Sequence, residues 1–323
     1  DGCCSGSQPG FAALASSRVR GMRGEVPALF TGALSGELLE ATQRAATAYL
    51  EGSEEDPAVE DPQCLCSTHW VPLAPGAWGP VLARPARHAI EEAISQLCGS
   101  PGVAAALAGP ALVGAEWWMQ EQCPGDEPKE LHTDKDVALQ PAEDGGVRVL
   151  TRHPWRSSVL YLSDTGGPTA VFEQRKLEGR LAPRLPASVH LAFPRPGRFL
   201  VFGGELLHGV LHPASPAQEP TEARPRRTLL VNWWSERPAA ASERPLPHLQ
   251  PPPELGPATA AALEAQEPQE LQSARVFEED AGRWRCQRLP QGLLPAAPPP
   301  LLRVAYPPVS CRAEPELEWT DEA

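Results

Sequence analysis

The sequence contains no apolar stretch approaching the roughly 18 residues that a membrane-crossing helix needs, so no span is expected and a soluble protein is. It also lacks a positive balance. The formal net charge is -13 at pH 7, which argues against tracking nucleic acid through an overall field. Arg175, Lys176, Arg180, Arg184, Arg195 and Arg198 make a local basic patch conceivable, but solvated loop residues are the ordinary reading. Recurring Cys-x-x-Cys pairs are missing as well. The 8 cysteines fall as Cys3-Cys4, Cys64-x-Cys66 and scattered Cys98, Cys123, Cys286 and Cys311, which is no zinc-ribbon pattern. Cys64, Cys66 and His69 read as packing or surface groups.

With 323 residues and 41% hydrophobic content, the chain has enough material for one large domain or two small ones. Its 39 prolines gather towards the end, where Pro251-Pro252-Pro253 and Pro298-Pro299-Pro300 cannot continue helices or central strands. Composition thus divides the chain into a loose lead-in (1–26), a helical support region (27–111), a strand-rich core (112–240) and a proline-rich, partly disordered tail (241–323). Within that tail, 275–288 and 301–306 carry enough apolar residues to dock back on the body.

Helical spacing runs from Glu37 to Leu50, with Ser35 available as N-cap. A second helix is expected from about Ala86 to Leu97, with Ile90, Ile94 and Leu97 on one side and Gly99 beyond its end. A short third one is expected over 101–108. Strands are expected over 115–122, 157–163, 169–172, 188–193, 199–202 and 227–234, separated by Gly and Pro turns. The pattern implies an antiparallel sandwich or barrel and an α+β class with a β core. The charged segment Glu173 to Pro186 has little periodicity and reads as a loop.

Candidate chemistry centres on His132-Thr133-Asp134. On a β-strand, His132 and Asp134 would point one way and Thr133 the other. His208, in the apolar run Phe199 to His212, adds a third ligand from elsewhere in the sheet. Two imidazoles and a carboxylate on one side of a metal suit non-haem Fe(II), leaving positions open for a chelating co-substrate and dioxygen. His208 and His212 share the four-residue spacing of helical zinc pairs, but Gly209 and Pro213 argue against a helix there. As a strand pair they would share a face, so His212 stays an alternative to His208.

Four stretches recur together in one order: His132-Thr-Asp134; Tyr161-Leu-Ser-Asp followed by Gly166-Gly167-Pro168-Thr169; Gly203-Gly-Glu-Leu-Leu-His208; and Arg226-Arg-Thr228-Leu-Leu-Val-Asn232-Trp-Trp. In this combination the chain resembles the Fe(II)/2-oxoglutarate-dependent dioxygenases, most nearly their prolyl 4-hydroxylase-like branch. The resemblance implies a double-stranded β-helix, or jelly-roll, core flanked by the N-terminal helices and followed by the proline-rich tail. It implies His132, Asp134 and His208 as iron ligands. Arg226 would anchor the far carboxylate of 2-oxoglutarate with help from Thr228, and Tyr161 would reach the same carboxylate. Arginine suits that task better than lysine because it meets a carboxylate with two prongs. Pro213 to Pro225 forms an insertion before this strand, and a one-residue shift would make Arg227 the anchor instead. Gln120 and Gln122 share a face on the preceding strand and are candidates to touch co-substrate or substrate. Trp117-Trp118 and Trp233-Trp234 read as packing, and Lys135 and Asp136 as orienting or solvated groups.

The implied reaction is hydroxylation of an aliphatic carbon, a peptidyl proline among the candidates, with release of succinate and CO2. Its requirements would be Fe(II), 2-oxoglutarate, O2 and ascorbate, and its partner a peptide or small-molecule substrate, with no nucleic acid. Two other readings use the same residues: a non-catalytic binding module that keeps the scaffold, and a zinc hydrolase, for which no base is evident beside the triplet.

Overall fold

The computed structural model describes residues 27–54, 68–77, 79–123, 126, 131–141, 146–177, 180–183, 186, 188–211, 224–239, 241–243, 245–254, 272–274 and 301–305. The lead-in 1–26, Cys64, Cys66, Arg184, His212 and 275–288 lie outside them. In chain order the elements begin with β1 (Ala28–Phe30), α1 (Gly36–Glu54), β2 (His69–Pro75), β3 (Pro80–Leu82), α2 (Ala89–Gly99) and α3 (Pro101–Leu107). There follow β4 (Gly114–Gln122), β5 (Asp136–Pro141), β6 (Val147–Arg152), β7 (Arg156–Tyr161), β8 (Thr169–Leu177) and β9 (Arg180–Ala182). The remainder are β10 (Ser188–Ala192), β11 (Phe199–Gly203), β12 (Leu206–Val210), β13 (Arg226–Trp234), β14 (Gln272–Ala274) and β15 (Leu301–Ala305).

Two sheets face each other. The larger has the order β1-β11-β7-β13-β4-β2-β3, and the smaller β12-β8-β10-β15-β14 with β9 beside β8. The pairings are antiparallel except β14 with β15. This curled, strand-rich architecture fits a jelly roll. Residues 27–111 supply three strands to the larger sheet in addition to the helices.

Side-chain alternation sorts the larger sheet into two faces. Trp117, Leu160, Val231 and Trp233 point outward and form one core with Leu38, Ile90, Ile94 and Leu97 of the helices. Val159, Tyr161, Leu200 and Phe202 point inward and meet Val171, Ala192 and Leu206 of the smaller sheet. The helices therefore brace one face and leave the other for the inter-sheet space. Ser35 caps α1, its Oγ accepting from Leu38 N at 3.3 Å. His88 caps α2 in extended backbone, and Gly99 is the last helical residue rather than the first beyond it.

Two sequence expectations need correction. The His132-Thr133-Asp134 triplet is not a strand: His132 forms only an isolated bridge with His208, and regular pairing resumes at Asp136. The reason lies downstream, where β5 and β6 leave the sandwich as a separate two-stranded hairpin, so the triplet is a crossing segment. The described residues of 173–182 are also strand rather than loop, because β8 runs on to Leu177 and pairs with β9 from Arg175 opposite Ala182.

α2 is locked by a buried ion cluster. Glu91 accepts from Arg84 Nη1 and Nη2 at 2.7 and 2.8 Å and from Arg87 Nε and Nη2 at 2.9 and 2.7 Å. Burial would raise the Glu91 carboxyl, but these hydrogen bonds outweigh it and hold the group at about 2. Burial lowers its neighbour His88 to about 4. Both folded values lie below the ordinary values of 4.5 and 6.5. Each group therefore stabilises the fold above its unfolded value and loses that contribution as pH falls, His88 between 6.5 and about 4, Glu91 between 4.5 and about 2. Glu91→Gln is expected to lower stability at pH 7 by about 3 kcal/mol and to flatten the acid limb below pH 4.5. Urea midpoints across pH check this; a variant with the parent's acid slope would contradict it.

Candidate metal centre

An isolated bridge between His132 and β12 creates the site. His132 N donates to His208 O at 2.9 Å and His208 N to His132 O at 2.8 Å, which sets the two rings side by side with centroids 4.5 Å apart. Asp134 Oδ1 then lies 3.8 Å from His132 Nε2 and 3.7 Å from His208 Nε2. All three ligand atoms fall within 4.8 Å of one another.

The two imidazoles differ in setting. His208 is buried, and its Nδ1–H donates to Leu206 O at 2.9 Å, which leaves the Nε2 lone pair for a metal. Burial lowers its pKa against the pull of Asp134, so the ring is neutral and ready to ligate at neutral pH. The His132 side chain is 49% exposed against 9% for His208, so the set opens to solvent on the His132 side. Asp134 Oδ2 accepts from Ser157 Oγ at 2.7 Å, and its main-chain carbonyl from His153 Nδ1 at 2.6 Å.

A cavity extends from these three residues to Arg226, walled by Trp118, Val159, Phe202 and Leu230. Arg226 is 3% exposed. Its Nη2 donates to Thr169 Oγ1 at 3.0 Å and its guanidinium lies 5.5 Å from the Tyr161 ring centre, yet its Nε has no partner. Burial lowers its pKa, and among the described residues no carboxylate pairs with it. Thr228 lies on the same face, buried, with Oγ1 also unpartnered. The Tyr161 hydroxyl lies 2.7 Å from Thr169 Oγ1 and 3.1 Å from Ala192 O, and burial pushes the phenol up. Buried hydrogen-bonding atoms without partners are uncommon and each calls for an occupant.

Arg227 points the other way. It forms an ion pair with Glu121 and donates from Nη1 to Thr47 Oγ1 at 2.9 Å. The pairing of Thr228 with Tyr161 and Gln120 fixes this parity, since a shift of one residue would exchange the two arginines. Arg226 is further shaped by Gly166, whose φ is +83 and whose added Cβ would lie 2.7 Å from Arg226 Cδ. Gly166→Ala is expected to strain the turn and displace the guanidinium, weakening by about 10-fold the binding of a carboxylate ligand such as 2-oxoglutarate, if Arg226 holds it. Calorimetric titration checks it, and unchanged binding would show that Arg226 is not held by this turn.

Among the other expected residues, Gln120 lines the cavity. Asp136 is paired with Arg152 at 2.5 Å and secures the base of the hairpin, while Lys135 is exposed. Trp117, Trp233 and Trp234 pack as expected, but Trp118 lines the cavity, a correction that follows from its opposite parity to Trp117. Ser157 and Thr169 went unassigned. Ser157 was legible through its even spacing from Tyr161, but nothing local linked it to Asp134.

No family model and no curated protein matches the chain. Solved structures do. One is an oxidoreductase of the 2OG-Fe(II) oxygenase family from Burkholderia pseudomallei, at 14% identity and TM-score 0.29, covering 55% of this chain and 70% of that one. HygX from Streptomyces hygroscopicus, with nickel and 2-oxoglutarate bound, shows 15% identity and TM-score 0.33 over 73% of this chain and 94% of its own. EctD from S. alaskensis, with 2-oxoglutarate and 5-hydroxyectoine, gives 15% and 0.32 over 71% and 81%. They do not single out the prolyl-hydroxylase-like branch. No helix among the described residues is long and apolar enough to cross a membrane.

Proposed function

We propose that the chain is an Fe(II)- and 2-oxoglutarate-dependent dioxygenase that hydroxylates an aliphatic carbon of a peptide or small molecule, peptidyl proline among the candidates. The observation that carries this reading is a buried guanidinium, Arg226, with no carboxylate partner among the described residues, lining the same cavity as His132, Asp134 and His208. A buried cation without a counter-charge is costly unless a ligand supplies one, and a dicarboxylate chelating a metal would do so.

The residues fit both groups. His132, Asp134 and His208 offer the two nitrogens and one oxygen of a facial set. Arg226 Nε and Thr228 Oγ1 are the free donors for the distal carboxylate, and Thr169 steadies Arg226 from the side. When bound, Fe(II) and 2-oxoglutarate would supply the reaction with O2 that yields succinate, CO2 and a hydroxylated carbon; ascorbate is the expected reductant for iron in uncoupled turnover only. The protein binds, orients and excludes water: Trp118, Val159, Phe202 and Leu230 line the cavity with apolar surface, and the exposed edge of His132 marks the side open to substrate. A zinc hydrolase would leave Arg226 without a purpose.

Mixing the protein anaerobically with Fe(II) and 2-oxoglutarate is expected to give a weak visible charge-transfer band. Admitting air should convert 2-oxoglutarate to succinate, slowly without substrate and faster with it. A preparation showing neither band nor succinate would remove the proposal.

A further inference from the structure

Asp134 is held differently from the two histidines. His208 lies on β12, which pairs with β8 on either side of a register shift between Leu206 and His208, whereas Asp134 lies on the irregular segment between His132 and β5. A carboxylate on irregular backbone has two free torsions and two equivalent oxygens, so the chain direction alone does not decide which oxygen faces an ion. Two contacts make that decision. His153 Nδ1–H holds the Asp134 carbonyl, and Ser157 Oγ–H holds Oδ2 at 2.7 Å. That length matches a charge-assisted O–H···O⁻ bond. Ser157 is 2% exposed on β7 and shares the inward face with Val159 and Tyr161. With Oδ2 engaged, Oδ1 is left at 3.8 and 3.7 Å from the two Nε2 atoms.

We propose that Ser157 is a positioning residue: its hydroxyl ties up Oδ2 so that Asp134 binds the ion through Oδ1 alone, which reserves the remaining positions for the co-substrate. The inference rests on the metal-centre reading above. Ser157 and His153 both belong to β7 and the segment leading into it, so they tie Asp134 to the larger sheet, while His208 sits on the smaller one. Their pairing is therefore also what keeps the carboxylate in register with the histidine across the inter-sheet space. Without the Ser157 hydroxyl, Oδ2 loses its donor, the carboxylate is free to turn, and chelation through both oxygens competes with 2-oxoglutarate for a position.

The test uses the full-length protein with Co(II), whose visible absorption reports coordination number. Ser157→Ala removes one oxygen atom and leaves the packing volume nearly intact. It is expected to raise the Co(II) Kd about 10-fold or more, to change the intensity of the visible band, and to weaken 2-oxoglutarate binding to the Co(II) protein. Ser157→Thr, which keeps the hydroxyl, should restore all three. A merely structural role would lower the melting temperature without moving the spectrum. If Ser157→Ala matches the parent in Kd and spectrum while Asp134→Ala loses the metal, the inference fails and the metal centre stands. If Asp134→Ala binds Co(II) as the parent does, or the parent binds none, the metal-centre reading itself is overturned and this inference with it.

Discussion

Asp134→Ala is expected to reduce 2-oxoglutarate-dependent succinate formation by about three orders of magnitude or more, because it removes the anionic member of the ligand set. A bound metal is worth several kcal/mol of transition-state stabilisation, and each 1.36 kcal/mol is about tenfold in rate. Asp134 also holds a central place in the geometry, since Oδ1 is the atom that faces both Nε2 atoms. Two imidazoles, one of them half in solvent, make a poor site alone. The loss should appear first as weaker Fe(II) or Co(II) binding and then as absent turnover, with little change in melting temperature. Turnover within a factor of ten of the parent would mean that the three residues converge for another reason.

Arg226→Met is the second large effect, and its sign is unusual. Removing the anchor should raise the KM for 2-oxoglutarate about 10- to 100-fold, the worth of hydrogen bonds to a charged group. Stability should move the opposite way or hold steady. Arg226 is buried without an acid among the described residues, and replacing a desolvated charge by an apolar chain of similar length commonly stabilises. A variant at least as stable as the parent but defective in co-substrate binding would show a cation kept for its ligand. Arg227→Met is the matched control. Its ion pair with Glu121 is about one-third exposed on both sides, so its loss should cost less than about 1 kcal/mol and leave the KM within about twofold. If Arg227→Met instead disturbed the KM, the parity of β13 would be the wrong basis for assigning the anchor.

Much of this site was legible in the order of residues because strands repeat every two positions. That period alone pairs Arg226 with Thr228, separates Arg227 from them, and sends Ser157 and Tyr161 to one face. The same period was misapplied at His132-Thr133-Asp134. There the two ligands converge without a strand, through one bridge to His208 and a hydroxyl from β7. Alternation sends one ring of each adjacent tryptophan pair into the core, but it does not say what the other ring meets. Their difference lies in which sheet face is covered by helices and which encloses the cavity.

By itself, then, the chain of residues pointed to the helix starts at Ser35 and near Ala86, the strand-rich class, and the placing of neighbouring arginines on opposite faces, though not which of the two faces the cavity. These are properties of side-chain chemistry and of local backbone period. Tertiary structure decided the rest: that the His132 and His208 backbones bond to each other, that Asp134 accepts from Ser157, and that Arg226 lines a cavity without a carboxylate partner among the described residues. Each of these depends on which distant segments are brought within a few ångströms, and contacts between segments remote in sequence have no local signature from which to be read.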